Sequence, residues 1–169
     1  IMNYTSIVNH LRDGDFALWD FTNGLGVNMF NFNLFDPFLM LLYGIGVVLG
    51  PAHMLIYVNV IQVLKILAAG AAFYWFLSQF TFSRQAKLAV SYVYGLNGFL
   101  LVWGQHYQFG TAVVYLPLLF LFCEKFIRKE KGRRFFPVMV FLCGIYSVYF
   151  TYMCLAATGL YLFFRVLMP

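Results

Sequence analysis

The chain has 169 residues, of which 63% are hydrophobic and only 10% charged, and its mean hydropathy is +0.80. Soluble domains carry about a quarter charged residues, so this composition excludes an ordinary soluble fold and points to an integral membrane protein. The net charge of +5 would suggest nucleic-acid binding in a soluble protein, but these cations lie in short connections between apolar runs, where they orient a membrane protein, and nucleic acid is excluded as a partner.

Lipid offers no hydrogen bonds to a backbone, so a spanning chain must form helices or a closed barrel. The apolar runs are continuous rather than alternating, which selects helices and an all-α, polytopic fold. Residues 1–33 read as an outer loop segment and residues 34–169 as the transmembrane helical region of the same domain. The start at Ile1 and the stop just past an apolar run read as cuts through a longer protein. The opening segment contains "LRDGDFALWDFTNGLGVNMFNFN", residues 11–33, with Asp13, Asp15 and Asp20; together with Asp36 these are four of the six acidic residues.

Residues 35–51, "FDPFLMLLYGIGVVLGP", read as an interfacial or re-entrant element. A helix rises about 1.5 Å per residue against a hydrocarbon core roughly 30 Å thick. Residues 51–82 exceed one crossing, so a helix over 66–82 is expected to cross, preceded by an amphipathic half in which Asn59, Gln62 and Lys65 recur every three residues on one face. Residues 86–103 and 110–127 each fit one crossing, with "GQHYQF" between them. The run 135–168 is too long for one upright helix and suits a hairpin turning at "YSVYFTY". The sum is about five transmembrane helices plus the outer segment. Tyr107, Phe109, Tyr146, Tyr149 and Tyr152 lie near the proposed helix ends, as an aromatic belt would. Cys123, Cys143 and Cys154 have no metal-ligand spacing and read as small packed hydrophobes.

The positive-inside rule places Arg84, Lys87, the run "RKEKGRR" at 128–134 and Arg165 in the cytoplasm, which puts residues 1–33 outside. Glu124 and Arg128, at i and i+4 on the cytoplasmic end, read as a solvated pair. Asn97 between Gly95 and Gly98 marks close helix packing, since small residues let membrane helices approach.

The stretch "HLRDGDFALWDFTNGLG" resembles the Leu-Arg-x-Gly-x-x-x-Leu-Trp-Asp/Asn signature and following Gly-x-Gly turn of the YfhO family of bacterial membrane proteins. "VLKILAAGAAFYWFL", "LPLLFLFCEKFIRK" and "GIYSVYFTYMCLAATGLYLFFR" resemble later segments of that family in the same order. The resemblance implies a GT-C type membrane glycosyltransferase, which moves a sugar from a polyprenyl-phosphate donor to a cell-wall glycopolymer such as teichoic acid. It also implies a catalytic acid shortly before the Leu-Arg-x-Gly motif, a position expected upstream of residue 1.

On that reading Asp20 and Trp19 contact substrate at the outer face, and Lys65 with Asn59 and Gln62 forms a polar stripe toward the donor phosphate. An intramembrane cation suggests function by default; the competing reading is that Lys65 snorkels at the outer interface. His106 in the outer loop either shuttles protons or touches phosphate, against the commoner role of a polar tip at the headgroups. Asp13 and Asp15 fit turns better than ligands. Clustered carboxylates also suit a divalent metal, and no other cofactor is expected. A polytopic transporter or a non-catalytic assembly subunit are the competing functions. A transporter should show ionisable groups in mid-membrane and two repeated halves, whereas a subunit needs no acid-rich outer loop.

The orientation has a direct check. A cysteine introduced by Lys131→Cys is expected to stay unlabelled by an impermeant thiol reagent in intact cells and to react after permeabilisation; labelling in intact cells would reverse the topology.

Overall fold

The structure is a computed structural model that describes residues 2–15, 19–21, 26–28, 35–102 and 109–167. In chain order these form α1 (Met2–Asp13), β1 (Trp19–Asp20), β2 (Val27–Asn28), α2 (Pro37–Leu49), a 3-10 turn at Pro51–His53, α3 (Met54–Leu77), α4 (Arg84–Gly95), α5 (Gly98–Val102), α6 (Thr111–Ile127), α7 (Phe135–Tyr146) and α8 (Val148–Leu167). Helices dominate, as an apolar chain without alternation requires. The fold divides into two compact units, residues 1–64 and 65–169, with the division inside α3.

In the first unit α1 packs on α2 through Tyr4, Ile7, Val8, Leu39, Leu42 and Tyr43, all buried. A Cβ on Gly46 would stand 2.7 Å from Val8 Cγ2 and 3.0 Å from Met54 Cε, so glycine is what lets α1 approach. Asp36 is fully buried and caps α2, its Oδ1 accepting from the amides of Phe38 at 2.8 Å and Leu39 at 3.4 Å, with Pro37 in the first turn. That arrangement satisfies two amides that a helix start leaves orphaned. With 13 residues α2 is about 20 Å long.

The expected count of about five crossings is not confirmed. Among the described residues two helical segments have the length and apolar composition of a full span, Pro51–Leu77 and Val148–Leu167. The stretch 86–103 does not form one helix, because α4 ends at Gly95 and α5 restarts at Gly98. Asn97 makes that break: its amide donates to the Tyr94 carbonyl at 2.6 Å and its oxygen accepts from the Leu100 amide at 2.9 Å. Such local bonds compete with the helix ladder. The close packing expected around this site is present at Gly95, where a Cβ would lie 3.0 Å from the Ile66 carbonyl oxygen and 3.4 Å from Gly70 Cα.

The run 135–168 is a hairpin that breaks at Ser147. Its two helices pack with α6 around Ala112, Tyr115, Leu119, Met139, Cys143, Tyr146 and Cys154. All three cysteines are buried and free. Tyr146 is not a belt residue: it is 1% exposed, and its hydroxyl donates to the Phe109 carbonyl at 3.2 Å. Tyr149 and Tyr152 do face outward, and Tyr107 lies outside the described residues. Much of α8 presents bare Val, Leu and Phe, a surface suited to lipid rather than water.

Pro117 sits inside α6. Proline has no amide hydrogen, so the carbonyl four residues earlier, that of Val113, loses its helical partner. The Tyr94 hydroxyl donates to that same carbonyl at 2.8 Å, while its ring stacks on Phe73 with centroids 4.3 Å apart. A neighbouring helix thus repairs the defect, which is how membrane helices tolerate proline.

Tyr94→Phe is therefore expected to destabilise the protein by about 1 kcal/mol. In Pro117→Ala, which restores the missing amide, the same change should have little effect. Melting of the two single variants and the double variant checks this, and equal losses in both backgrounds would remove the hydrogen bond from the account.

Candidate functional site

The acid-rich motif folds around the end of α1. Gly14 adopts φ +70° and the Asp15 amide donates to the His10 carbonyl at 2.9 Å, the six-to-one closure of a Schellman cap. The glycine of the Leu-Arg-x-Gly pattern therefore stops the helix, and the reversal brings the Asp15 carboxylate to 3.3 Å from His10 Nδ1.

The chain then returns as β1, paired antiparallel with β2 so that Trp19 faces Asn28 and Asp20 faces Val27. Strand alternation splits the pair: Trp19 is 46% exposed and Asp20 only 2%. Asp20 turns inward onto α1, where Ser6 and His10 stand one helical turn apart. The Ser6 hydroxyl donates to Asp20 Oδ2, and His10 Nε2 lies 3.9 Å from Asp20 Oδ1. His10 is thus flanked by two carboxylates, one buried and one open to solvent. Ser6 and His10 escaped the sequence reading, although their i, i+4 spacing just before the motif was available. The Trp19 indole lies against Gly26: a Cβ there would fall 2.0 Å from Trp19 Nε1, and Gly26 has φ +102°. Gly24 lies outside the described residues.

Lys65 is fully buried and lies near the middle of α3, which begins at Met54 rather than at residue 66. Its neighbours on the buried stripe are Val58, Ile61, Ala69 and Ala72. Steps of three residues rotate a helix by about 300°, so Asn59 ends well away from Lys65. Asn59 is exposed and Gln62 half-buried, and the expected three-residue polar face is corrected to Lys65 with Gln62 beside it. His106 lies outside the described residues. Among the described residues no group of three His, Cys, Asp or Glu side chains is placed to hold a metal ion.

An open apolar cavity of about 350 Å³ runs between α3 and α4. Leu67, Gly70, Trp75, Tyr92 and Gly95 are among the residues that line it.

Glu124 also differs from expectation. It is fully buried, and besides Arg128 it binds Arg165 and Tyr161. A solvated i, i+4 pair and this buried network look the same over residues 124–128.

The chain matches the family described as bacterial membrane protein YfhO over residues 4–168. No curated protein and no solved structure matches it.

Gly26→Ala is expected to displace the indole, because the site lacks room for a Cβ and its φ disfavours any other residue. The emission of Trp19, isolated by replacing Trp75 and Trp103 with Phe, should shift relative to the Gly26 protein. An unchanged spectrum would mean that the indole does not rest on Gly26.

Proposed function

This chain belongs to the YfhO family of bacterial membrane proteins, and from that premise we infer a GT-C type glycosyltransferase that moves a sugar from a polyprenyl-phosphate donor to a cell-wall glycopolymer such as teichoic acid. The observation that carries the reading is Lys65, a cation fully buried near the middle of a long apolar helix. Charges in such positions are expensive and by default point to function. In glycosyl transfer the acceptor hydroxyl attacks the anomeric carbon, the bond from that carbon to the phosphate oxygen breaks, and polyprenyl phosphate leaves as an anion. Lys65 is assigned to the phosphate, whose charge is largest as the bond breaks. An ammonium serves there as a point charge with modest demands on geometry.

The acidic motif is assigned to the sugar side. Asp20 holds Ser6 and lies beside His10, and Trp19 offers a half-exposed amphipathic ring. The cavity between α3 and α4, lined by Gly70, Leu67 and Tyr92, has the apolar character a polyprenyl chain needs. Residues 1–33 lie on the outer face in this reading, with 84–87 and 128–134 in the cytoplasm, as the positive-inside rule directs. The acid that activates the acceptor is assigned upstream of residue 1.

The test uses the full-length protein with purified polyprenyl-phosphate sugar. Lys65→Met removes the charge without leaving a cavity and should lower kcat/KM for the donor about 10- to 100-fold, the loss of one charge-assisted contact. Lys65→Arg should retain part of the activity. Native transfer by the Met variant would sink the phosphate role. Inactivity of the intact native protein would favour an assembly subunit, and uptake of labelled solute by proteoliposomes would favour a transporter.

A further inference from the structure

At one end of the α6–α7–α8 bundle a single buried carboxylate holds two arginines. Glu124 is 0% exposed, and both its oxygens are engaged. Oε1 accepts from Arg128 Nε at 2.7 Å and from Arg165 Nη2 at 3.1 Å, and Oε2 accepts from the Tyr161 hydroxyl at 2.8 Å and from Arg165 Nε at 3.3 Å. The carboxylate is saturated, but the arginines are not. Among the described residues Arg128 gives Glu124 only its Nε, and Arg165 gives its Nε and Nη2, so both Nη groups of Arg128 and Nη1 of Arg165 have donors left. The side chains of Arg128 and Arg165 remain 33% and 32% exposed.

Two guanidinium charges against one carboxylate leave the cluster cationic. A neutral clasp between α6 and α8 would need only one arginine. The excess charge adjoins a connector carrying Lys129, Lys131, Arg133 and Arg134 against one acid, Glu130. Aromatic rings adjoin the cluster: the Arg128 guanidinium stands over Phe80 at 5.7 Å, and Tyr161 stacks on Phe120 at 4.9 Å. Fixed guanidinium forks beside apolar rings suit a phosphate group joined to acyl chains. The buried carboxylate holds the forks in place beforehand, which lowers the ordering cost of binding.

We propose that Arg128 and Arg165, held by Glu124, form a binding site for the phosphate headgroup of an anionic phospholipid. The site is independent of the sugar-transfer reading, because it depends neither on Lys65 nor on the acidic motif. Basic pockets between membrane helices bind anionic headgroups in this way, and a diffuse basic loop alone would attract them less selectively.

The experiment adds phosphatidylglycerol, phosphatidylcholine or soluble glycerol phosphate to the full-length protein in neutral detergent, and reads melting temperature and lipid retained in native mass spectra. Phosphatidylglycerol alone is expected to raise the melting temperature and to be retained. Arg128→Gln should weaken its apparent affinity about tenfold, as loss of a charge-assisted contact implies, and Lys131→Gln on the connector should change it less than about twofold. Arg165→Gln disturbs more of the clasp, so the second reading uses Arg165→Lys, which keeps the charge but not the fork. That variant should melt normally in phosphatidylcholine and retain less phosphatidylglycerol. Equal effects of the two lipids, equal losses in Arg128→Gln and Lys131→Gln, or full stabilisation by glycerol phosphate would each overturn the lipid site.

Discussion

The cost of leaving polar groups unpartnered in apolar surroundings shapes much of this structure. Three acids are buried; one caps a helix locally, and the other two tie together parts of the chain that local propensity would leave apart. Asp36 closes the start of α2 by accepting two amides. Asp20 joins the short hairpin to α1 through Ser6. Glu124 joins α6 to α8 across 41 residues of sequence through Arg165. An unpartnered carboxylate in such a place would be costly, so each acid serves as a fastening point.

Backbone groups obey the same rule. Pro117 leaves one carbonyl of α6 without its helical amide, and Tyr94 from α4 supplies the donor. Asn97 closes the break between α4 and α5 with both ends of its amide. Glycine then sets how closely these helices meet: Gly46 admits Val8, and Gly95 lies against the Ile66 carbonyl and Gly70. Side-chain hydrogen bonds and missing side chains together set the packing where lipid weakens the hydrophobic drive between helices.

The functional reading draws on these features unequally. Sugar transfer rests on family membership and on a buried lysine, whereas the arginine cluster rests on charge count and geometry. The two lie in different settings. Lys65 sits on a stripe of Val58, Ile61 and Ala69, and Arg128 and Arg165 are partly open beside a basic connector. The first is enclosed and the second is partly open to its surroundings.

Composition alone determined the membrane class and the helical fold, because continuous apolar runs leave a backbone few other ways to satisfy itself in lipid. The hairpin after residue 135 was legible from length, since 34 apolar residues exceed one upright crossing, and the acid-rich motif was legible from its Leu-Arg-x-Gly pattern. Other features were decided only by tertiary structure. Asn59, Gln62 and Lys65 share a spacing of three, yet the helix carries Asn59 away from the buried stripe because three residues fall short of a full turn. Glu124 and Arg128 have the same i, i+4 spacing whether solvated or buried, and Arg165, the residue that decides between those readings, is 41 positions away from Glu124. Periodicity specifies which side of a helix a residue occupies, but only packing specifies what that side meets.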